Sequence, residues 1–379
     1  MGILVFTDTF CDANGVSRFL QDICSEAICA NRQLIVFTST SKTRCKSFSN
    51  LNNFKPLFGF KIPFYKELDI VVPPFLQMLK SAKNLDIQTV HISTSGPVGI
   101  LGIYFAKKYN LKLTGTYHTN FPAYIFDNTK SKTCQKIAVW FMRWVYSRFD
   151  KILTRSSSYK EILENDLKIN GTKIKTLKPG IKIENYSPQL RNVEIWEKYQ
   201  ISKTSQKVLY VGRLSKEKNF DFLLNVWDKF YQKYLSTNLI DAELIVVGEG
   251  SLDKKAKKLN DKNVHLFGFK GGFELAQIFA SSDLFLFASV TETLGQVIME
   301  AQASGLPAIV PNVGGHLQIV GGGTKVLPID VPVWSESIFE SLAKKDQKVQ
   351  NGLKNFDFMQ SFSIKNSFDD FWSFNLSQN

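Results

Sequence analysis

Short apolar runs recur along the chain, each followed by a loop and then by a stretch of helical period. Ile3–Thr7, Leu34–Thr38, Thr89–Ser93, Leu111–Tyr117, Lys151–Thr154 and Lys173–Leu177 read as buried strands. Stretches of helical period over about Arg18–Ala30, Gly96–Tyr109, Lys132–Phe149 and Ser156–Leu167 lie between them. A second series follows. Val208–Val211, Glu243–Val247, Val264–Phe267, Leu284–Phe287 and Ala308–Val310 read as strands. Helices are expected from about Phe220 to Tyr234, Leu252–Leu259, Phe273–Ala280 and Gln296–Ser304, with Gly305 as the last stop. Strand–helix alternation of this kind predicts parallel sheets covered by helices, with ligands at the carboxyl ends of the strands.

The irregular stretch Lys178-Pro-Gly-Ile-Lys-Ile-Glu-Asn-Tyr186 separates the two series. The expected organisation is a domain over 1–186, a second over 187–360, and a tail, 361–379, that returns to the first. That tail holds Phe362, Phe368, Phe371, Trp372 and Phe374, too apolar to stay in water. A chain of 379 residues with 31 Phe suits two domains with large cores.

A formal charge of +13 points to anionic partners: phosphates, an acidic membrane surface or nucleic acid. From Ala27 to Lys66 there are seven basic residues and no acidic one, with Phe48, Phe54, Phe58, Phe60, Phe64 and Tyr65 among them. That mixture suits an anionic lipid interface, or equally a basic loop whose rings pack inward. In Lys132–Phe149 the polar stripe is Lys132, Lys136, Arg143 and Ser147, and Ile137, Trp140, Phe141, Trp144 and Val145 lie on the broad opposite side, read as mostly buried in the domain, with membrane contact as the alternative. The five cysteines, at 11, 24, 29, 45 and 134, lack metal-ligand spacing and read as free thiols. The opening Met-Gly-Ile-Leu-Val-Phe reads as a first strand rather than a leader, and no run has the length of a membrane span.

Chemistry concentrates at four places. The loop Asp8–Ser17 contains Gly15 and Val16. His118 stands just past a strand end. Gly212-Arg213 and Lys218 lie between a strand and a helix, where a guanidinium and an ammonium can clamp a diphosphate. The stretch Ser289–Pro307 carries Glu292 in a loop and Glu300 inside a helix, eight residues or about 12 Å on. The amides of Leu294, Gly295 and Gln296 sit at that helix's N-terminus, an anion seat.

Glu292-x7-Glu300 followed by Ala301-x-Ala-x-Gly-x-Pro307, together with Gly212-Arg-x-x-x-Glu-Lys-Asn219, resembles the signature of the family-4 retaining glycosyltransferases. Around Gly96-Pro97 and Gly115-Thr-Tyr-His-Thr119 the resemblance extends to the lipid-directed sulfoquinovosyl-, mannosyl- and glucosyltransferases. It implies an α/β GT-B fold: two Rossmann-like doubly wound domains facing a central cleft. It implies a metal-independent transfer of a hexose, with retention, from a UDP- or GDP-sugar, without a resident cofactor. By resemblance Arg213 and Lys218 hold the diphosphate, with Gly15, Val16, Gly212, Thr293, Leu294, Gly295 and Gln296 around it. Glu300 binds the ribose, Glu292 the sugar, and His118 lines the sugar's reacting side. Gly268, Phe269 and Lys270 border the base. His316 departs from the family pattern.

The implied acceptor is a membrane lipid, reached from the cytoplasmic face by a peripheral enzyme. A soluble glycan acceptor and a sugar-nucleotide epimerase stay open. A non-enzymatic membrane- or nucleic-acid-binding protein would leave the two Glu and the Arg213–Lys218 motif without a purpose. Nucleic acid is therefore not an expected partner.

Overall fold

The computed structural model describes residues 2–12, 14–42, 45–62, 65–290 and 294–377, the side chains of 60–70 aside. The chain forms two compact units, residues 1–179 with 364–379, and residues 180–363.

The first unit runs β1 (Ile3–Phe6), α1 (Gly15–Cys29), β2 (Leu34–Ser39), β3 (Leu51–Phe54), β4 (Phe58–Ile62), β5 (Tyr65–Val72), α2 (Phe75–Lys83) and β6 (Thr89–Ile92). It continues with α3 (Pro97–Lys108), β7 (Lys112–Tyr117), α4 (Phe121–Thr129), α5 (Lys132–Tyr146), β8 (Lys151–Thr154), α6 (Ser157–Asn165) and β9 (Ile174–Thr176). Seven of these strands make a sheet in the order β3-β2-β1-β6-β7-β8-β9, every pairing parallel. All four residues of β1 are fully buried, as expected for a strand covered by helices on both faces.

The second unit runs β10 (Gln206–Val211), α7 (Phe220–Phe230), β11 (Ala242–Val247), α8 (Asp253–Lys257), β12 (Val264–Leu266), α9 (Gly272–Ser281) and β13 (Leu284–Leu286). Then come α10 (Gln296–Ala303), β14 (Ala308–Pro311), β15 (Thr324–Leu327), α11 (Val331–Ala343) and α12 (Lys345–Met359). Its sheet has the order β12-β11-β10-β13-β14-β15, again wholly parallel. Both sheets are thus doubly wound, and the strand order reverses direction at β1/β6 in one and at β10/β13 in the other. At such a switch point neighbouring loops splay apart and leave a crevice at the carboxyl ends of the strands.

The last helix, α13 (Ile364–Leu376), belongs to the first unit. Its buried Phe368, Phe371 and Phe374 join Phe19, Leu20 and Ile23 of α1 in one cluster. Asn375 Oδ1 lies 3.0 Å from His91 Nδ1 inside β6, and Phe371 meets the same imidazole edge-on at 4.8 Å. Burial pushes His91 down to about 4, so this clasp carries no histidine charge at neutral pH. At the surface Arg32 sits over Phe368 and Trp372 and pairs with Asp369 at 2.7 Å.

Two expectations change. Cys11 and Cys45 form a disulfide, while Cys24, Cys29 and Cys134 are free. The two cysteines lie in loops that follow the neighbouring parallel strands β1 and β2, so they meet at one edge of the sheet. The basic aromatic segment is folded rather than a loop. It supplies β3 and the antiparallel hairpin β4–β5. Phe54 is buried and stacks edge-on against Phe37, and Phe48 packs on Phe10, whereas Phe58 is exposed. Arg44 and Phe64 lie outside the described residues.

Helix α5 turns only part of the expected side inward: Val145 is buried and Phe141 and Trp144 are half-buried against the core. Ala138, Met142, Val145 and Tyr146 are buried, while Ile137 and Trp140 are 61% and 66% exposed. Nearly every face of this helix is apolar, so pattern alone could not choose the inner one. Among the described residues no helix is long and apolar enough to cross a membrane.

Candidate active site

In the second unit the loop after β10 carries Gly212, Arg213 and Lys218. It rests on the end of β11: a Cβ on Gly248 would lie 1.9 Å from the Gly212 carbonyl oxygen, so only glycine permits that approach. Gly212 N–H donates to Val247 O at 3.0 Å, and Leu214 N–H to Glu249 O at 3.1 Å. Arg213 is half exposed and pairs with Glu217 at 2.5 Å, within one turn. Lys218 ends a short 3-10 turn, and Asn219 follows in the left-handed conformation, φ 53°, at the N-terminus of α7. Asparagine tolerates that region better than most residues. Its Nδ2 donates to Ala288 O at 3.2 Å.

That bond crosses the β10/β13 switch point to the strand end from which Ser289 and Val290 depart. Glu292 and Thr293 lie outside the described residues. Leu294 is buried, and Gly295, φ +75°, is the N-cap of α10 without a side-chain cap. Glycine has no side chain to cap the first amides of α10, Gln296 among them, which lie at the positive end of the helix. Glu300 lies one turn further in and is 1% exposed, a deeply placed carboxylate. His316 is fully buried under this region. Its Nε2 lies 3.0 Å from Pro311 O, and its ring meets Phe287 at 5.1 Å.

Beyond β12 the turn Gly268-Phe269-Lys270 closes the same edge of the sheet. Gly268 has φ +66° and accepts from Gly248 N–H at 2.9 Å. Phe269 is 78% exposed, an apolar ring standing in water. Lys270 lies 5.3 Å from the Tyr199 ring centroid.

In the first unit Asn14 caps α1, accepting from Ser17 N–H at 2.9 Å, so Gly15 and Val16 begin the helix itself. Asp8, just past β1, accepts from Thr94 Oγ1 and Val98 N–H at 2.8 Å and from Gly99 N–H at 3.3 Å. Its own carboxylate thus occupies the anion seat at the start of α3, and burial raises its affinity for a proton. His118 follows β7, half-buried. Its Nε2 lies 3.2 Å from Ser93 Oγ, and its ring 6.0 Å from that of Phe19. Burial, then the nearby Arg155 and His91, hold the imidazole well below its usual protonation range.

The structure brings Gly212, Arg213, Lys218, Gly268–Lys270, Leu294–Gln296 and Glu300 to one edge of the second sheet. It puts His118, Gly15 and Val16 at the corresponding edge of the first. Asn219 entered the sequence reading only as the last residue of the Gly212–Asn219 motif, and Arg155 was not singled out. An Asn directly before a helical run was the signal for the first; nothing but strand register reveals the second.

Comparison with known proteins agrees with this architecture. Residues 13–185 match the family described as Glycosyltransferase Family 4, and residues 193–344 the one described as Glycosyl transferases group 1. The sulfoquinovosyl transferase SQD2 of Arabidopsis thaliana is 26% identical over 69% of this chain and 50% of its own length. A GDP-mannose-dependent alpha-mannosyltransferase of Mycobacterium tuberculosis is 26% identical over 68% and 64%. The alpha-monoglucosyldiacylglycerol synthase of Streptococcus pneumoniae is 25% identical over 82% and 70%. The chain thus spans half to two-thirds of the length of the first two. Among solved structures, Anabaena HepE in complex with UDP and glucose superposes with a TM-score of 0.73 at 16% identity, covering 98% of both chains. A glycosyltransferase from Rickettsia africae gives 0.73 at 18% identity over 100% and 99%. The chain is a protein of the GT-B fold, related to the sugar-nucleotide-dependent glycosyltransferases.

Proposed function

We propose that the protein transfers a hexose, with retention at the anomeric carbon, from a nucleoside-diphosphate sugar to a membrane lipid. The observation that carries the reading is the edge of the second sheet, where two cations, an uncapped helix N-terminus and a buried carboxylate converge on one switch point. As the glycosidic bond breaks, negative charge gathers on the departing diphosphate. Arg213, Lys218 and the α10 amides stabilise it, and one such donor is worth about 3–4 kcal/mol in the transition state. Arg213 exchanges its Glu217 partner for the diphosphate when the donor arrives. Glu300 accepts from the ribose hydroxyls, Glu292 holds the sugar, Phe269 and Lys270 border the base, and His118 faces the sugar. These side chains do the work without a metal ion.

The acceptor side rests on α5. Its outer face joins Ile137 and Trp140 to Lys132 and Lys136, and no acidic residue occurs from 128 to 149. Rings at the headgroup level and cations toward anionic lipid describe an interfacial helix. The protein therefore works peripherally, at an anionic membrane surface. A soluble glycan acceptor would leave that face without a use.

The test is a thermal-shift panel of nucleoside diphosphates and their sugars, since a ligand of the folded form alone raises the melting temperature. A rise with one nucleoside diphosphate, lost in Glu300→Gln, is expected. No rise with any of them would remove the reading.

A further inference from the structure

β7 and β8 run parallel in register, Tyr117 opposite Thr154. The next residue of each strand is therefore His118 and Arg155, side by side at the sheet edge, about 5 Å apart along the hydrogen-bonding direction. Arg155 is 6% exposed, a guanidinium set behind the histidine rather than in water. Its Cζ lies 4.2 Å from the centroid of Phe19, and the same phenyl ring lies 6.0 Å from the His118 ring. Phe19 belongs to α1, the helix that begins at Gly15, and Asp22, one turn on, favours the charged guanidinium. Burial lowers Arg155 to about 10, so it remains a cation at neutral pH.

The other groups around His118 are accounted for. His91 is uncharged and tied to Thr114, Thr116 and Asn375. Asp8 is engaged by Thr94 and the start of α3. From α13, Phe371 packs on Phe19 and Asn375 bonds His91, and neither is charged.

We propose that Arg155 is a positioning residue for sugar transfer: a fixed cation behind Phe19 that bars a second positive charge from His118 and keeps its imidazole a neutral hydrogen-bond partner for the sugar. Glycosyl transfer passes through a sugar ring with oxocarbenium character. A protonated imidazole against that ring would oppose the reaction, whereas a neutral one can accept from a hydroxyl. Arg155 is buried behind an aromatic ring, and Asp22 tempers its own field. The guanidinium also packs against Phe19, and through it one side of the imidazole, so Arg155 adds to burial in setting the charge state and also bears on the orientation. The inference rests on the proposed function for its use in catalysis, but not for the coupling itself.

The test follows the ring protons of the four histidines by NMR as pH is lowered, in the wild-type chain, Arg155→Met and Arg155→Lys. His118 of the wild-type and Arg155→Lys chains stays neutral below the ordinary range of a histidine, and in Arg155→Met its protonation moves up toward that range. Turnover follows: as the pH is lowered from about 8 through the ordinary histidine range it holds in the first two and falls several-fold in the third. Titration of wild-type His118 near 6.5 overturns the inference and needs no variant. A folded Arg155→Met in which His118 stays neutral overturns it too, because burial alone would then suffice. The NMR arm reads the coupling even if no donor is ever turned over, which separates its failure from that of the proposed function.

Discussion

Asn219 Nδ2 donates to Ala288 O at 3.2 Å across the switch point of the second sheet. One residue thereby ties the loop that carries Arg213 and Lys218 to the strand end that feeds the Ser289–Gly295 loop. It also ends its own loop in the left-handed conformation. Asn219→Ala loses the bond and strains the backbone, and about 2 kcal/mol of stability should go with it. Asn219→Gly keeps the backbone and should lose about half as much. Denaturant unfolding separates the two, and calorimetry should show weaker nucleoside-diphosphate binding in both. Wild-type stability and affinity in both variants would contradict this role.

Arg213→Ala and Lys218→Ala should each cut turnover at least about tenfold, with far-UV circular dichroism unchanged. Arg213 is half exposed and its ion pair with Glu217 lies at the surface, so its loss costs the fold little. Turnover within about twofold of wild type in both would take them out of the mechanism.

The thiols give a check on the first unit. Titration of the unreduced, denatured chain should count three thiols, Cys24, Cys29 and Cys134, and reduction should raise the count to five. Five before reduction would remove the Cys11–Cys45 link.

Much of this was legible beforehand. Buried parallel strands write themselves as unbroken apolar runs, so Lys151–Thr154 and Ala308–Pro311 fall where their sequences put them, to within a residue. The Arg213–Lys218 loop and the α10 N-terminus were legible as local motifs. What eluded the sequence depends on neighbours. Cys11 and Cys45 are 34 residues apart and meet only because β1 pairs with β2. His118 and Arg155 are neighbours only through the β7/β8 register. Trp140 sits outward because α5 packs through the smaller stripe of Ala138, Met142 and Val145.

The exposed face of α5 gives a membrane prediction. Arg143 is engaged by the carbonyls of Asp166 and Leu167, which leaves Lys132, Lys136 and the nearby Lys130 for lipid. Each is worth about 1 kcal/mol at an anionic surface. The protein should sediment with anionic but not zwitterionic vesicles, and high salt should release it. Lys132→Glu with Lys136→Glu, and separately Trp140→Ser, should weaken the binding. A protein that stays in the supernatant with anionic vesicles at low salt would remove the support for a lipid acceptor.

The most direct test of sugar transfer is the anomeric configuration of the product. The donor that raises the melting temperature is incubated with lipid vesicles, and the anomeric proton of the fresh glycolipid is read by NMR. The account predicts stoichiometric release of the nucleoside diphosphate and a product with the donor's own anomeric configuration. A product of inverted configuration, or a free sugar nucleotide altered at one centre with no transfer, would contradict it.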